Sequence, residues 1–252
     1  QRLRDISQLG GVYYVFPAAA SKRFEHSLGV AHLARTFIEQ IRANQPGLGI
    51  TDEEALCIEL AGLCHDLGHG PFSHTFDGRV LPSLGAPSTF CHEHASVQIF
   101  ELLIESNGLR PEFAKYGLDD SKIQLIKELI LGDEDEAIGL EDFKWIGLEP
   151  RKAFLYDIVA NKRNGIDVDK MDYFQRDSLM LNIPCSFDCN RLMKFASVYP
   201  VRSGEEGEKE EEMRTQICFH VKEAWNCFEM YHTRHSLYKR AYLHKVSNAI
   251  DI

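Results

Sequence analysis

The chain has 252 residues, 44% of them hydrophobic and 26% charged, a composition that can bury a full core. Its net charge of −10 argues against a protein whose main task is to coat nucleic acid. Since no run of about 18 apolar residues occurs, we expect no membrane span, and the opening sequence QRLRD is not an apolar signal segment. That opening lies within charged sequence of a structural type, so we expect a piece of a longer protein.

Helical periodicity dominates the first third of the chain. Apolar residues recur at helical spacing before a break at Gln45-Pro-Gly: Val30, Ala34, Phe37 and Ile41. The capping-box pattern Thr51-Asp-Glu-Glu54 predicts the start of a second helix. The apolar residues on one face of that helix are Leu56, Leu60 and Leu63. It runs into His65 and Asp66 and ends at a cluster of glycines and proline: Gly68, Gly70 and Pro71.

Further helices are predicted over about 94–106, 121–131, 151–161 and 169–181. Residues 222–250 contain neither Gly nor Pro, which predicts one long helix or two in series. Extended segments are predicted at 11–16, 197–202 and 214–220, and the last two would form a hairpin. We see no internal repeat and no domain boundary. We therefore expect a single mainly α domain over residues 1–252 with a small β-hairpin.

An acidic loop is predicted at residues 204–212, at the tip of that hairpin. Residues 205–212 include six glutamates and one lysine, and a run of this kind is usually a solvated, mobile loop. The rest of the chain is only mildly acidic and could still hold a basic pocket.

The seven cysteines favour reduced thiols over a disulfide framework. Their number is odd, and Cys57, Cys64 and Cys227 lie within apolar helical patterns. Cys185 and Cys189 are four residues apart in a loop, but a zinc knuckle would need a second pair, so we expect both to be structural. Reduced thiols indicate an intracellular protein. No basic localisation run distinguishes the nucleus from the cytoplasm, so we expect residence in either or both.

The most informative stretch is Cys64-His-Asp-Leu-Gly-His-Gly-Pro-Phe-Ser-His-Thr-Phe-Asp77, which holds three histidines and two aspartates. His65 and Asp66 form an adjacent imidazole–carboxylate pair suited to a divalent metal. Burying so many titratable groups together costs free energy unless they are paired or bind a cation. The alternative is a polar loop with solvated histidines. The pattern favours metal chemistry.

A catalytic divalent ion needs further ligands from separate elements and an open position for water. His26 opens one helix, and Asp169 opens another after a glycine turn. Asp167 and Asp169 alternate with apolar residues and would point to the same side if the segment were extended. A lone histidine such as His26 is more often a satisfied surface or core residue, so spacing alone leaves this set open.

The order His26, His65-Asp66, Asp169 resembles the metal-binding pattern of the HD superfamily of phosphohydrolases. Longer strings, which together extend over nearly the whole chain, resemble the vertebrate-type SAM-and-HD-domain deoxynucleoside triphosphate triphosphohydrolases. They are QLGG at 8–11, YVFP at 14–17, RFEHSLGV at 23–30, the block 62–77, NKRNGIDVDK at 161–170 and HTR at 232–234. The resemblance implies an HD-domain helical bundle whose C-terminal lobe lies beyond residue 252.

Enzymes of that family split a dNTP into a deoxynucleoside and intact triphosphate, with water attacking the α-phosphorus. The resemblance implies that zinc or iron is held by His26, His65, Asp66 and Asp169. It also implies a magnesium ion on the nucleotide phosphates. His74 is implied to protonate the leaving 5′ oxygen, with Asp77 orienting its ring.

By the same resemblance, His69 and His92 organise the scissile phosphate and Glu93 supports them, although His92 could instead only support another histidine. The cations for the phosphate chain are Arg23, Lys170 and Arg234. Tyr173 would share a helix face with Asp169. Gln8 and Asp177 would read the 3′ hydroxyl. Leu9 and Tyr242 would crowd the 2′ position, unless they are ordinary core residues. The substrate set is completed by Tyr238 and His244.

The chain departs from the family pattern at several positions. Tyr238 stands where the family usually has a histidine, and residues 178–181 are poorer in histidine. Ser197 and His220 fall where arginines contacting a second activator nucleotide are expected. The positions that match the activator sites are Gln1 and Arg4, for guanine nucleotide, and Lys222 and Asn226, for dNTP. We predict weaker or altered activation by dNTP.

The implied partners are the dNTP substrate, GTP or dGTP and dNTP activators, and further copies of the chain in a dimer or tetramer. Nucleic acid would be a secondary partner. The resemblance also implies roles in dNTP catabolism and antiviral defence. Two alternatives stay open: another HD phosphohydrolase, such as a deoxynucleoside monophosphatase or a phosphodiesterase, and a non-catalytic regulatory or nucleic-acid-binding HD protein.

Overall fold

The structure, a computed structural model, describes residues 1–85, 90–132, 146–202 and 213–250. Its α-helices are α1 (Arg23–Asn44), α2 (Asp52–Cys64), α3 (Leu81–Ser83), α4 (His92–Ser106), α5 (Arg110–Lys115), α6 (Asp120–Leu131), α7 (Tyr156–Val159), α8 (Val168–Leu181), α9 (Cys189–Lys194), α10 (Ala224–Leu237) and α11 (Lys245–Ile250). Short 3₁₀ turns lie at Arg2–Arg4, Val12–Tyr14, Pro46–Leu48, Pro150–Leu155 and Val221–Glu223. Two π-helical turns lie at Phe76–Val80 and Tyr238–Tyr242. The mainly α fold class is confirmed.

The helices α1 and α2 form the centre of the bundle. The predicted capping box is present: Thr51 Oγ1 accepts from Glu54 N at 3.1 Å, and the Glu54 carboxylate accepts from Thr51 N at 2.9 Å. Gly62 lets the two helices approach closely, because a Cβ there would lie 3.2 Å from the Val30 carbonyl oxygen. The predicted leucine face of α2 is only half-buried, whereas Ala55, Ile58 and Ala61 are fully buried, so the core wraps around most of the helix.

The core is closed by α4, α6, α7 and α8, which pack around this pair. Its largest fully buried side chains include Phe37, Phe100, Phe154 and Phe174. Burying an aromatic or aliphatic side chain of this size stabilises a fold by roughly 1.5–3 kcal/mol each. The consequence for function is a rigid frame, in which the N-terminal part of α1, the end of α2 and the start of α8 are fixed relative to one another.

The predicted hairpin is confirmed. Strands β1 (Ala196–Val201) and β2 (Arg214–Phe219) pair antiparallel, with Ala196 opposite Phe219 and Val201 opposite Arg214. Gln45 ties β1 to the end of α1, since its side chain bonds both Val198 N, at 2.6 Å, and Val198 O, at 3.0 Å. The predicted acidic loop at 204–212 lies outside the described residues.

Two local expectations are wrong. Residues 11–16 are not extended but contain the 3₁₀ turn Val12–Tyr14, because this short apolar run has no partner strand and folds so that Val12 is buried. The segment 151–161 is not one helix but a 3₁₀ turn followed by the single turn α7. Residues 222–250, in contrast, form two helices in series, α10 and α11, joined by a π-helical turn, which is one of the two expected alternatives. That the chain forms one domain over 1–252 stays a prediction.

All seven cysteines are free, in agreement with the expectation of reduced thiols. Cys189 accepts a hydrogen bond from Gln175 Nε2 at 2.8 Å, and Cys185 packs against the core. These contacts fit the structural role expected for this pair. Within the described residues, no helix combines the length and apolar character needed to cross a membrane.

Candidate active site

Four donors from three separate elements converge at the centre of the bundle. His26 lies in the first turn of α1, His65 and Asp66 follow α2, and Asp169 lies in the first turn of α8. His26 Nε2 is 3.0 Å from Asp169 Oδ1 and 3.3 Å from Asp66 Oδ2. His65 Nε2 is 3.3 Å from Asp66 Oδ1 and 3.6 Å from Asp169 Oδ1. The structure therefore brings these four side chains together.

The two histidines present their Nε2 atoms without hydrogen-bond partners, although both atoms are buried. Their other ring nitrogens are occupied: His26 Nδ1 lies 2.7 Å from Asp172 Oδ2, and His65 Nδ1 lies 2.8 Å from the Gly62 carbonyl oxygen. Buried polar atoms rarely stay unpaired. A metal-ligating histidine usually donates its second nitrogen to a carboxylate or a carbonyl. The four donors therefore fit a divalent metal ion.

The electrostatics of this cluster are those of a cation site. Burial raises the pKa of Asp66, but the Arg23 guanidinium and His65 outweigh it, so the pKa of Asp66 lies well below its usual value. Burial also opposes charge on His26, yet the carboxylates of Asp169, Asp172 and Asp66 hold its pKa well above the usual value. The group attracts positive charge, and a metal ion could take the place of the histidine protons.

The segment that carries Asp167 and Asp169 is not extended, so the expectation for an extended segment does not apply. The helix α8 begins at Val168, and Asp167 is its N-cap, accepting from Lys170 N at 3.1 Å. Its carboxylate also pairs with Lys170 Nζ at 3.0 Å. Burial raises the pKa of Asp167 to about 6. Only Asp169 of the two reaches the histidines.

A second group of titratable side chains borders the metal-type cluster. The rings of His69 and His92 are stacked, with centroids 4.0 Å apart. His74 meets them edge-on, with centroids 4.9 Å and 5.4 Å away. Glu93 Oε2 lies 3.3 Å from His92 Nδ1. The predicted catalytic residues are therefore neighbours in space.

Asp77 contacts a different partner from the one predicted. Its Oδ2 atom lies 3.6 Å from His69 Nδ1 and 3.4 Å from His92 Nδ1, so its nearest charge partners are these two rings rather than His74. The physical reason is local backbone: residues 76–80 form a π-helical turn, and the three-residue step from His74 to Asp77 does not keep one α-helical face.

His74 follows two residues with left-handed backbone, Phe72 (φ 64°) and Ser73 (φ 54°). Such a conformation is costly for side chains with a Cβ and persists only where the surroundings enforce it. Ser73 supplies that restraint: its hydroxyl donates to Ser7 O at 2.7 Å and accepts from Arg23 Nε at 2.9 Å. Burial, then Arg23 and the neighbouring histidines, lower the pKa of His74 to about 4, so the ring is neutral near pH 7.

Two cavities meet at this site. One, of about 260 Å³, is lined by three of the four metal-type donors (His65, Asp66 and Asp169) and by His69, His74, His92 and Glu93. The other, of about 480 Å³, is lined by most of the predicted substrate-binding residues: Gln8, Leu9, Arg23, Lys170, Tyr173, Asp177, Arg234, Tyr238 and Tyr242. The residues that border both cavities are Arg23, His74, Asp169 and Lys170. A single elongated ligand could thus occupy both cavities.

The larger cavity contains a buried carboxylate and unpaired acceptors. Tyr242 Oη donates to Asp177 Oδ2 at 2.6 Å, while Asp177 Oδ1 and Gln8 Oε1 have no hydrogen-bond partner. Burial raises the pKa of Asp177 to about 6. Burial and the Asp177 carboxylate raise the pKa of Tyr242 strongly. The cavity therefore offers acceptor oxygens to a ligand hydroxyl.

Several predicted residues lie elsewhere. His244 lines neither cavity; its ring lies edge-on to Phe16, with centroids 6.0 Å apart. Arg4 places its guanidinium 4.5 Å from the Phe24 ring, and Gln1 is exposed beside it. Lys222 is exposed. The Asn226 amide bonds Asp188 O at 2.8 Å, and so closes a loop. The predicted activator residues thus lie on the surface, outside both cavities.

Three residues near the site were not predicted. Asp172, described above, could have been found from its three-residue step after Asp169 on one helix face. Lys162 borders the metal-type cavity, with its Nζ 3.9 Å from Glu93 Oε1. Arg2 donates to the carbonyl oxygens of Leu67, at 2.7 Å, and His69, at 2.8 Å. Because Arg2 and Leu67 are 65 residues apart, no pattern in the local sequence could have predicted this contact.

Comparisons with known proteins agree with this geometry. A family model described as HD domain matches residues 23–177. The human deoxynucleoside triphosphate triphosphohydrolase SAMHD1 is 50% identical over 254 residues, covering 100% of this chain and 39% of the human protein. The Dictyostelium discoideum SAMHD1 homolog is 43% identical, over 100% of this chain and 42% of its own length. A putative HD domain-containing protein of Acanthamoeba polyphaga mimivirus is 34% identical, over 100% of this chain and 50% of its length. The chain thus spans less than half the length of the two cellular relatives.

Proposed function

Because this chain belongs to the HD-domain family, we propose that it forms the catalytic portion of a metal-dependent dNTP triphosphohydrolase. The reaction would split a dNTP into a deoxynucleoside and inorganic triphosphate by attack of water at the α-phosphorus. The observation that carries this proposal is the wall of four residues shared by the two cavities. An α-phosphate at that wall would face the metal-type donors on one side and the larger cavity, which is lined by Tyr173, Tyr238 and Tyr242, on the other. The printed names of the human and slime-mould relatives support the same activity.

The metal would be held by His26, His65, Asp66 and Asp169. We propose zinc or iron, since mixed imidazole and carboxylate donors suit both. When bound, the ion would supply Lewis acidity and lower the pKa of a water molecule at the α-phosphorus. A magnesium ion would accompany the triphosphate, whose hard oxygens suit it.

The phosphate chain would be bound by three cations around the larger cavity. Arg23 is buried and donates to Asp66 Oδ2 at 2.7 Å, which fixes it at the metal-type end. Lys170 is held by Asp167 on the shared wall. Arg234 is exposed and, among the described residues, makes no ion pair with a carboxylate, so it is available to an anionic ligand. A triphosphate needs such a set, whereas a monophosphate does not.

Proton transfer to the leaving 5′ oxygen would be performed by His74. The ring is neutral in the structure because burial and the surrounding cations disfavour its charged form. A polyanionic substrate beside it would counter those cations and raise the pKa of the ring, so His74 would gain a proton as substrate binds. His69 and His92, oriented by Asp77 and supported by Glu93, would organise the scissile phosphate.

The sugar would be read in the larger cavity. The unpaired acceptors Gln8 Oε1 and Asp177 Oδ1 are suited to a 3′ hydroxyl. Leu9 and Tyr242 would form a tight wall at the 2′ position. A ribonucleotide would there bury an unpaired hydroxyl or clash, and both outcomes disfavour binding. Tyr173, which lies four residues from both Asp169 and Asp177 on α8, would line the same cavity.

The proposed activity is tested by incubating the full-length protein with dATP and separating the products by ion chromatography. We expect inorganic triphosphate and deoxyadenosine in equal amounts, and the variant Asp169→Ala should release neither. Release of orthophosphate alone would contradict the proposal and favour a different HD phosphohydrolase, such as a deoxynucleoside monophosphatase. Nucleotide binding without any turnover would favour a non-catalytic HD protein.

We propose that activator nucleotides regulate the enzyme in the way that the family resemblance implies. Gln1 and Arg4 would bind GTP or dGTP, and Lys222 and Asn226 would bind a second dNTP between subunits of a dimer or tetramer. Ser197, in β1, and His220, directly after β2, should weaken the second site, because a serine and a histidine replace two arginines. Gel filtration of the full-length protein with dGTP tests this, and tetramers that form as readily as in a variant with Ser197→Arg and His220→Arg would contradict it. Nucleic acid as a secondary partner, residence in the nucleus or cytoplasm, and roles in dNTP catabolism and antiviral defence stay predictions.

A further inference from the structure

Tyr238 stands at the centre of a column of side chains on the wall of the larger cavity. On one side, the guanidinium carbon of Arg234 lies 4.6 Å from the centroid of the Tyr238 ring. On the other side, the Tyr242 ring meets it nearly edge-on, with centroids 5.1 Å apart and an interplanar angle of 74°. Tyr242 in turn donates to Asp177. All four side chains border the same cavity.

The backbone places these residues at four-residue steps. The helix α10 ends at Leu237, and the π-helical turn Tyr238–Tyr242 continues it. Neighbours at this spacing lie on one side of a helix, so Arg234, Tyr238 and Tyr242 stack along the cavity wall. The inner end of the column is fixed, because Asp177 is fully buried and hydrogen-bonded to Tyr242.

Arg234 itself has little else to fix it. It is exposed, and within the described ranges its side chain makes no ion pair with a carboxylate, so the Tyr238 ring is the group against which it lies. A free arginine side chain loses conformational entropy when it binds an anion. A ring that already holds the guanidinium reduces this cost. A phenol also carries no positive charge in either protonation state, so it never repels the guanidinium, whereas a protonated imidazole would.

We propose that Tyr238 is a positioning residue that holds Arg234 over the cavity by a cation–π contact and so increases the affinity for the triphosphate part of the substrate. This inference rests on the proposed function. Tyr238 stands where the family usually has a histidine. In this interpretation the tyrosine serves phosphate binding through Arg234, rather than stacking on the base or sugar.

The test is a double-mutant cycle on the full-length protein, with inorganic triphosphate as the probe and its dissociation constant as the readout. Tyr238→Leu should weaken triphosphate binding about 2- to 5-fold, which corresponds to about 0.5–1 kcal/mol. Tyr238→Phe keeps the ring and should bind as the wild type does. In an Arg234→Ala background, Tyr238→Leu should have no further effect. Any change that Tyr238→Leu causes in the binding of deoxyadenosine, which carries no phosphate, should be the same with and without Arg234.

Two results would overturn the inference: unchanged triphosphate binding in Tyr238→Leu, or an equal loss of binding with and without Arg234. A melting temperature of Tyr238→Leu close to that of wild type excludes general unfolding, and the Phe variant tests the ring even if the Leu variant unfolds. The measurement needs no turnover. A wild-type protein that releases no triphosphate from dATP would therefore contradict the proposed function alone, while the cycle would still decide the role of Tyr238.

Discussion

His26 and Asp172 are joined by a 2.7 Å contact between Nδ1 and Oδ2, which fixes the nitrogen that His26 turns toward the other HD donors. Asp172 is itself held by Arg176, whose Nε and Nη2 atoms donate to the two carboxylate oxygens, both at 2.8 Å. The arrangement makes the position of a predicted metal ligand depend on two residues that would not touch the metal.

Replacing Asp172 by asparagine should therefore weaken metal binding. The change removes the charge that supports the His26 imidazole and disrupts the Arg176 pair, and loss of such a supporting partner typically costs about 10–100-fold in metal affinity. Competition with a chelator, read by metal analysis, measures this. The matched control is Asp52→Asn, an exposed aspartate in the first turn of α2, which should leave the affinity unchanged. Equal metal affinity of Asp172→Asn and wild type would show that the contact does not support the site.

Arg2→Ala should reduce kcat. The guanidinium bonds the carbonyl oxygens of Leu67 and His69, and these hold the turn that carries His69 next to Asp66. Because the Arg2 side chain is exposed, we expect its hydrogen bonds to contribute only about 0.5–1.5 kcal/mol, which corresponds to a loss of about 2- to 10-fold. Added guanidinium ions should restore part of the rate, as they can refill the space left by the side chain. Arg151→Ala, an exposed arginine on the far 3₁₀ turn, is the control. A rate loss that guanidinium cannot restore would point to general destabilisation instead.

Gly68→Ala should destabilise the fold, because a Cβ at this position would lie 2.0 Å from the His92 carbonyl oxygen and 2.5 Å from Ser96 N. Both atoms belong to the backbone of α4, which cannot move without displacing His92 from His69. Overpacking of this kind costs about 1–3 kcal/mol or more. Gly78→Ala is a close control, since a Cβ there would meet nothing within 4 Å. Thermal unfolding of both variants measures the difference, and equal melting temperatures would contradict the close approach.

The pH dependence of stability should carry a contribution from Asp177. Burial raises the pKa of this carboxyl to about 6 in the folded protein, against about 3.9 when it is unfolded. The folded state thus binds the proton more tightly, so its contribution is full below pH 4 and is lost as the pH rises through 6. The loss amounts to about 2–3 kcal/mol at pH 7.

Denaturant unfolding of wild type and Asp177→Asn between pH 4 and 7 tests this. Relative to the variant, the wild type should lose stability over that range, because the asparagine does not titrate. A constant difference between the two proteins across the range would contradict a raised pKa at Asp177. The test compares how the free energy of unfolding changes with pH in the two proteins. A pH-independent effect of the asparagine amide on that free energy therefore cancels.

The helical frame and the hairpin were predictable because they rest on local signals. The Thr51 capping box and the break at Gln45-Pro-Gly fix helix ends through contacts of a few residues. Residues 11–16 misled the prediction, since a short apolar run suits either a strand or a buried turn and only tertiary contacts decide. The interruption at Tyr238–Tyr242 likewise has no Gly or Pro to mark it.

For the site, the spacing of His65 and Asp66 predicted a metal-type pair, and the family pattern added His26 and Asp169. The structure brings those four together. The partner of Asp77 could not be predicted, since a π-helical turn shifts the face on which its side chain lies. Arg2 and Ser73 act through bonds to distant backbone, at Leu67, His69 and Ser7, and such bonds depend on the fold rather than on a local pattern.

The helix α8 has a dimensional consequence for the proposed substrate. It carries Asp169 at the metal-type cluster and both Tyr173 and Asp177 on the wall of the larger cavity, at four-residue steps along the helix. Eight residues of α-helix rise about 12 Å. In the proposed enzyme this helix would set the distance between the site of phosphorus attack at one end and the sugar hydroxyl at the other. A molecule shorter than that interval could reach either end but not both, so selection by length would be built into a single rigid element.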